Sequence, residues 1–275
     1  METSSFVKDI NGIFVSKNLA DKISYPESGN DECFGIEKDS FWFNHRNNII
    51  KEILLKFPHS GNFADIGGGN GYQANFIKET FPEKEIFLIE PGYQGCLNAK
   101  KYGVKNIYNI PFQKFDFIGN NVDGVGLFDV IEHVEDDASF LKDISKSCPS
   151  KTNIYITVPA YKWLWSDTDD YAGHYRRYNS KMIKTLAKNS GLDILYNGYF
   201  MFYLPFPILL ARNIPYRIRG KREQQTLLKD ATGNHFTSSL SSKAINLLNS
   251  LEIRGIHKFG KLIFGGSCIA VLQTK

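Results

Sequence analysis

The chain is sparing with cysteine. Four stand at positions 33, 96, 148 and 268 of 275 residues, and none forms a C-x-x-C pair. That scatter argues against a disulfide framework and for reduced thiols, as in the cytoplasm. No leader peptide is expected either, because Met1-Glu2-Thr3-Ser4 does not read as a basic start followed by an apolar run. Long hydrophobic runs are absent. The longest, 199–211, holds two prolines and is too short to span a bilayer. Charge of one sign is scarce as well: 33 basic against 29 acidic residues leave +4, which does not by itself argue for nucleic acid. There is no internal repeat and no low-complexity tract. What remains, at 42% hydrophobic residues, is one large domain over 1–275 with appendages.

What is present centres on Phe63-Ala64-Asp65-Ile66-Gly67-Gly68-Gly69-Asn70-Gly71. A short apolar strand runs into a glycine-rich turn, and a helical pattern follows over 72–81. Glycine permits backbone angles that other residues avoid and lets a ligand approach the main chain. The turn aims the N–H groups of a helix start at that ligand. On its own the motif fits a nucleotide-type pocket and also an ordinary tight strand–helix turn.

Along the chain, 1–39 reads as an N-terminal extension of short strands or loops, with turns at Asn11-Gly12, Tyr25-Pro26 and Ser28-Gly29-Asn30. A helix begins after Asp39-Ser40, which can cap it, and runs to about 57. Strands are expected at 63–66, 85–90, 106–110, 124–129, 153–158, 192–198 and 261–273. Helices are expected at 71–81, 93–102, 135–148, 180–190 and 241–253. Strands separated by helices imply right-handed crossovers and a parallel sheet, hence an α/β Rossmann-like, doubly wound fold over 40–200. The stretch 199–255 between the sixth and seventh strands reads as a helical insertion. It carries the basic group Arg212, Arg217, Arg219, Lys221 and Arg222.

Glu90 closes the second strand about twenty residues past the glycines, where an acid accepts hydrogen bonds from both ribose hydroxyls. A nicotinamide dinucleotide site follows the same logic. The glycine pattern, Asp65-x-Gly67-x-Gly69-x-Gly71, differs from the dinucleotide G-x-G-x-x-G. It resembles motif I of class I S-adenosylmethionine-dependent methyltransferases. Asp129-Val130-Ile131-Glu132-His133-Val134-Glu135-Asp136 and Ile156-Thr157-Val158-Pro159-Ala160 resemble the later motifs of the ubiquinone-biosynthesis O-methyltransferase-like group. The resemblance covers 40–200. It implies seven strands, mostly parallel with the seventh antiparallel, and S-adenosylmethionine as cofactor. It places Gly67, Gly68, Gly69 and Gly71 on the methionyl side, Asp65 near the amino group and Glu90 on the ribose. Pro91, Gly92 and the Pro111-Phe112-Gln113 stretch fall beside the adenine, and Leu127, Phe128 and Asp129 form a wall. The relatives' Asp-Ala or Asp-Leu pair after the third strand is missing here.

An opening helix of the form F-W-F-x-x-R lies over the cofactor in such relatives. By that resemblance Phe41 and Trp42 cover it and Arg46 pairs with its carboxylate, a match for a planar fork of donors. Phe43 is read more plainly, as a core aromatic.

Methyl transfer to a hydroxyl needs alignment and removal of a proton, and histidine suits the second task. His133 follows the fourth strand, and His174 lies in the segment after the fifth, both at the edge where ligands bind in such folds. The segment 161–178 is expected to be a long irregular loop. It is dense in Trp163, Trp165, Asp167, Asp169, Asp170, Tyr171, Arg176, Arg177 and Tyr178, a usual composition for substrate contacts. Plainer readings are a helix-start histidine and a solvated loop. Asp129-x-x-Glu132-His133 with a later His174 also resembles the metal constellation of small-RNA 2′-O-methyltransferases, which implies a divalent cation on those four residues. Two departures stand out: Asp where they have Glu, and Arg176-Arg177 beside the cation.

The motifs Ser40 to Asn47 and Asp169 to Tyr178 resemble those of bacterial methyltransferases with no firm substrate. The expected acceptor is a hydroxyl on a small molecule, sugar or lipid-linked intermediate, reached with Glu132, His133 and His174 as catalytic residues. An RNA methyltransferase using the arginines as a basic face and a non-catalytic S-adenosylmethionine-binding protein are the alternatives, with nucleic acid disfavoured. The apolar, proline-broken 199–222 with its arginines reads either as a peripheral membrane contact or as a cap helix over the site.

Overall fold

A computed structural model describes residues 6–16, 34, 36–220 and 239–275. Cys33, the turns at 25–30, Lys221 and Arg222 lie outside the described residues. The strands are β1 (Phe6–Lys8), β2 (Phe14–Ser16), β3 (Asn62–Ile66), β4 (Ile86–Ile89), β5 (Asn106–Asn109), β6 (Val122–Phe128), β7 (Asn153–Pro159), β8 (Asp193–Phe200) and β9 (Ser267–Gln273). The helices are α1 (Phe41–Lys56), α2 (Tyr72–Thr80), α3 (Tyr93–Lys101), α4 (Asp137–Ser147), α5 (Asp167–Ala172), α6 (Ser180–Ser190), α7 (Pro205–Ile208), α8 (Ile214–Arg219) and α9 (Ser239–Phe259).

Among the described residues, all nine strands form one sheet in the order β1-β2-β5-β4-β3-β6-β7-β9-β8. The expected seven strands therefore become nine. The two extra ones are a hairpin from the N-terminal extension, whose second strand pairs in parallel with β5. Its turn falls at Asn11-Gly12, where the Asp9 carboxylate accepts from the N–H groups of Asn11 at 2.8 Å and Ile13 at 2.9 Å. β9 is antiparallel to both neighbours, β7 and β8. The last strand is also shorter than expected and the helix before it longer, since Ser239–Phe259 runs on past 253.

Both faces of the sheet are covered, as a mostly parallel sheet requires. Alternation along the strands assigns the residues. Ala64, Ile66, Phe87 and Ile89 pack with the α4 and α6 side, and Phe63 and Leu88 with the α1, α2 and α3 side. β3 lies between β4 and β6, so the winding direction reverses there, and a crevice opens at the carboxyl ends of those strands.

The segment 161–178 is not irregular. It holds a 3₁₀ turn at Lys162–Leu164 and then α5, which starts with a capping box between Ser166 and Asp169. After β8, the chain continues through α7, a π-helical turn at Leu209–Asn213 and α8 without a break.

One buried polar contact docks α9 on α1. His45 Nε2 lies 2.5 Å from Glu252 Oε2, and both side chains are fully buried. Glu252 also accepts from the backbone N–H groups of Met201 and Phe202, each at 2.9 Å. Met201 has φ +57°, a left-handed conformation that Glu252 helps to hold.

Candidate functional site

β3 carries Asp65 to the crevice, and the glycine turn follows. Gly67 and Gly69 have φ of +69° and +53°, open only to residues that tolerate the left-handed region. At Gly68 the limit is space: a Cβ would sit 2.4 Å from Asp65 Oδ2 and 2.5 Å from Leu88 Cδ1. These three glycines line a cavity of about 1210 Å³. Gly71 does not line it. It precedes α2 and packs on α3, where a Cβ would lie 2.5 Å from that of Ala99.

Glu90 braces the turn. Its carboxylate accepts from the N–H of Gly92 at 2.6 Å and that of Gly69 at 2.9 Å. Burial raises its pKa, and those two N–H groups oppose the rise. Asp65 is wholly buried, and neither oxygen has a hydrogen-bond partner. Burial pushes its pKa up to about 7, against the pull of Arg46 and with the help of Glu90. Gln73 is alike: its buried side-chain amide lines the cavity with both polar atoms unmatched. Buried polar groups normally find partners, so these atoms point to a ligand. Sequence reading missed Gln73, which nothing in the local pattern marks.

Pro91, Phe112 and Phe128 also line the cavity, and Pro111 and Gln113 with them. Leu127 does not. It is buried in the core on the opposite face, because adjacent residues of a strand point to opposite sides.

α1 forms part of the cavity wall. Phe41, Trp42, Phe43 and Arg46 all face the cavity. Phe43 is thus a wall residue rather than a core aromatic, packed edge-on to Tyr72 at 6.2 Å. The Arg46 guanidinium sits 4.8 Å from the Trp42 ring and 5.0 Å from that of Phe43, and it donates to Asp129 Oδ2. Asp129 has φ +58°, a conformation asparagine and aspartate tolerate better than most residues. Ser40 stands at the helix start, but its side chain makes no capping bond.

The two histidines meet. The His133 and His174 rings lie 4.7 Å apart at 76°. Glu132, His133 and His174 offer ligand atoms all within 4.8 Å of one another. Asp129 is not brought to that group, because Arg46 holds it. Burial, then the charge of Asp129, raises Glu132 well above the usual carboxylate range. Burial, then His174, lowers His133 to about 4, so its ring is neutral at physiological pH.

His174 is oriented by Asp169, a residue the sequence reading left among the loop's many polar groups. Asp169 Oδ1 accepts from His174 Nδ1 at 2.9 Å and from Arg177 Nε at 2.7 Å. Oδ2 accepts from the Ser166 N–H at 2.9 Å. Burial alone would raise Asp169, but His174 and Arg177 hold it at about 2. An ionised carboxylate only accepts, so a proton sits on Nδ1 of His174, and Nε2 is the ring nitrogen turned away from that bond. The Ser166-x-x-Asp169 capping box was the available signal.

Arg176 and Arg177 are committed inside the molecule. Arg176 donates to the Val134 and Glu135 carbonyls and lies 3.0 Å from Asp137. The Tyr175 N–H donates to the Glu132 carbonyl at 2.8 Å. The Tyr178 hydroxyl donates to the Ile131 carbonyl at 3.1 Å. These bonds join 173–178 to 131–135 and fix the histidines relative to each other.

A profile of the family described as a methyltransferase domain matches residues 43–197. The chain belongs to this methyltransferase-domain family. That span runs from the opening helix through β3, the glycine turn and both histidines into β8. No curated protein matches. Among solved structures the fold is similar to Haemonchus contortus phosphoethanolamine N-methyltransferase 2 bound to S-adenosylmethionine, with 16% identity and a TM-score of 0.56 over 92% of this chain and 58% of that one. This methyltransferase domain therefore spans under three fifths of that enzyme's length. It is similar too to a Thermotoga maritima S-adenosylmethionine-dependent methyltransferase, at 11% identity, TM-score 0.54, 91% of this chain and 100% of that one. A third likeness is to Streptomyces coelicolor geranyl diphosphate C-methyltransferase, at 10% identity, TM-score 0.51, 83% of this chain and 79% of that one.

Proposed function

We propose that this methyltransferase domain moves a methyl group from S-adenosylmethionine to a hydroxyl of a small molecule, sugar or lipid-linked intermediate. The observation that carries the cofactor is the buried Asp65 carboxyl, which stands unmatched in the wall of the cavity. Six acidic residues line it (Glu37, Asp65, Glu90, Asp129, Glu132 and Asp169) against Arg46, Lys114, Arg177 and Arg212. Two of those cations are already paired with Asp129 and Asp169. A pyrophosphate beside Asp65 and Glu90 would be repelled, which weighs against a nicotinamide dinucleotide. A cationic ligand with an ammonium group suits the unmatched Asp65 carboxylate, and Gln73 offers it further polar contacts.

When bound, S-adenosylmethionine supplies a methyl group activated by its sulfonium. Asp65 would hold the ammonium end, Glu90 the ribose hydroxyls, and Phe112 and Pro91 the adenine. Arg46, released from Asp129, would meet a carboxylate. His174, its Nδ1 proton held by Asp169, accepts the hydroxyl proton at Nε2, and His133 packs beside it. Of the basic residues of the RNA alternative, Arg176 and Arg177 are tied to partners within the molecule, which takes them from an RNA-binding face, whereas Arg217 is exposed.

Calorimetry tests the cofactor. S-adenosylmethionine should bind and NAD should not; the reverse would overturn the reading. The affinity should also rise with pH through about 7, because Asp65 must ionise to meet an ammonium and binding lowers its pKa. Asp65→Asn should remove that dependence and weaken binding by roughly tenfold or more.

A second reading rests on the Glu132, His133 and His174 cluster, whose neutral His133 ring suits a divalent cation that would orient a hydroxyl. Elemental analysis of protein purified without chelator decides it. One equivalent of metal that is lost in Glu132→Gln supports the ion; its absence leaves His174 as the proton acceptor alone.

A further inference from the structure

The continuous helical run 205–219 has two working faces. Inward, Asn213 is fully buried and donates to the Trp165 carbonyl at 2.6 Å. Pro207, Ile208, Ala211 and Arg212 line the cavity. Outward stands a row spaced by four: Phe206, Leu210, Ile214 and Ile218, exposed by 63, 66, 38 and 76%. The row extends about 18 Å at 1.5 Å per residue. Single exposed apolar side chains are ordinary, but an aligned row of four is not.

The surroundings say what covers it. Residues 205–219 contain three arginines and no acid. Arg217 is exposed at the far end and donates to the Trp163 carbonyl at 3.3 Å. Trp163 is itself 38% exposed, and Lys162 beside it is exposed. Aromatic rings run from there back to the near end, Trp163 to Tyr161 at 5.5 Å, Tyr161 to Phe264 at 5.6 Å and Phe264 to Phe206 at 6.1 Å. An apolar row flanked by tryptophan and cations is the composition of a helix lying in a membrane interface. No described helix is long and apolar enough to cross one. A second copy docked by two-fold symmetry would bring the exposed Arg217 and Lys162 of two such patches together, which is unfavourable.

We infer that this face docks the protein on an anionic lipid bilayer, with the cavity opening beside the docked helix. The inference goes beyond the methyl transfer proposed above and does not depend on it. An acceptor held in the bilayer would then reach the cavity past Leu204, Pro207 and Ile208 without crossing water.

Co-sedimentation of the full chain with phosphatidylcholine vesicles, with and without phosphatidylglycerol, tests it. The protein should pellet with the anionic vesicles and less so as salt is raised. The L210E/I218E double variant should lose roughly tenfold or more of its partitioning. The same variant should bind S-adenosylmethionine as the parent does, which controls for folding. Absence of pelleting, equal pelleting of variant and parent, or a dimer in sedimentation velocity that L210E/I218E dissolves would each overturn the inference.

Discussion

His174→Ala is expected to lower the turnover number by about 10²–10⁴-fold, the usual contribution of a positioned proton acceptor. The loss should appear in kcat, with S-adenosylmethionine affinity unchanged within about twofold, since a 1.4 kcal/mol difference is already tenfold. The reason lies in the division of the cavity. The glycine turn, Asp65 and Glu90 sit where β3 and β4 end, and His174 comes from the segment after β7. Asp169→Asn should cost less, because it leaves the imidazole in place but removes the charge that fixes the proton on Nδ1. That variant separates positioning from chemistry: kcat should fall and KM for the acceptor should change little. Methyl transfer from labelled S-adenosylmethionine, to an acceptor found by screening, supplies the assay. Full turnover in His174→Ala would remove this residue from the reaction.

The largest effect on stability is expected at Glu252. Its carboxylate is fully buried and meets three donors, His45 Nε2 and the N–H groups of Met201 and Phe202. Glu252→Ala strands all three. Removing one partner of a buried pair costs about 3–5 kcal/mol, because the other is left uncompensated. The orphaned N–H groups add to this, and Met201 loses a bond that secures its left-handed backbone. Urea denaturation should show a large drop in midpoint. His45→Ala combined with Glu252→Ala should cost less than the sum of the single changes, since the two groups share one contact. A loss below about 1 kcal/mol for Glu252→Ala, typical of an exposed pair, would show that the contact does not hold α9 in solution.

Period and glycine placement made the central sheet and the turn legible. Strands such as 63–66 carry their own pattern, and Gly67 and Gly69 are forced by backbone angle rather than by a distant contact. The hairpin at 6–16 was readable as short strands or loops between turns but not as part of the sheet, because three-residue strands are too short to show alternation. The site divided in the same way. Asp65, Glu90 and His133 lie on or beside strand ends, where motif and position coincide, and His174 lies in the segment that follows β7. Asp169 acts through His174 five residues on, a relation set by α5 and not by spacing alone. Gln73 is marked only by the absence of partners in the fold. Resemblance to a metal constellation groups Asp129 with Glu132 and His133, but in the fold its carboxylate pairs with Arg46 instead.

The N-terminal hairpin also bears on solubility. β2 covers the edge of β5 and lays the Phe14 ring on Tyr108 at 4.5 Å. Without it, the sheet would end in a strand whose backbone groups and aromatic ring offer a template to another chain. With it, the sheet ends in the three residues of β1, which include Lys8, too short and too charged to recruit a neighbour. The hairpin therefore acts as a guard against edge-to-edge aggregation, carried by a segment that contributes nothing to the walls of the cavity.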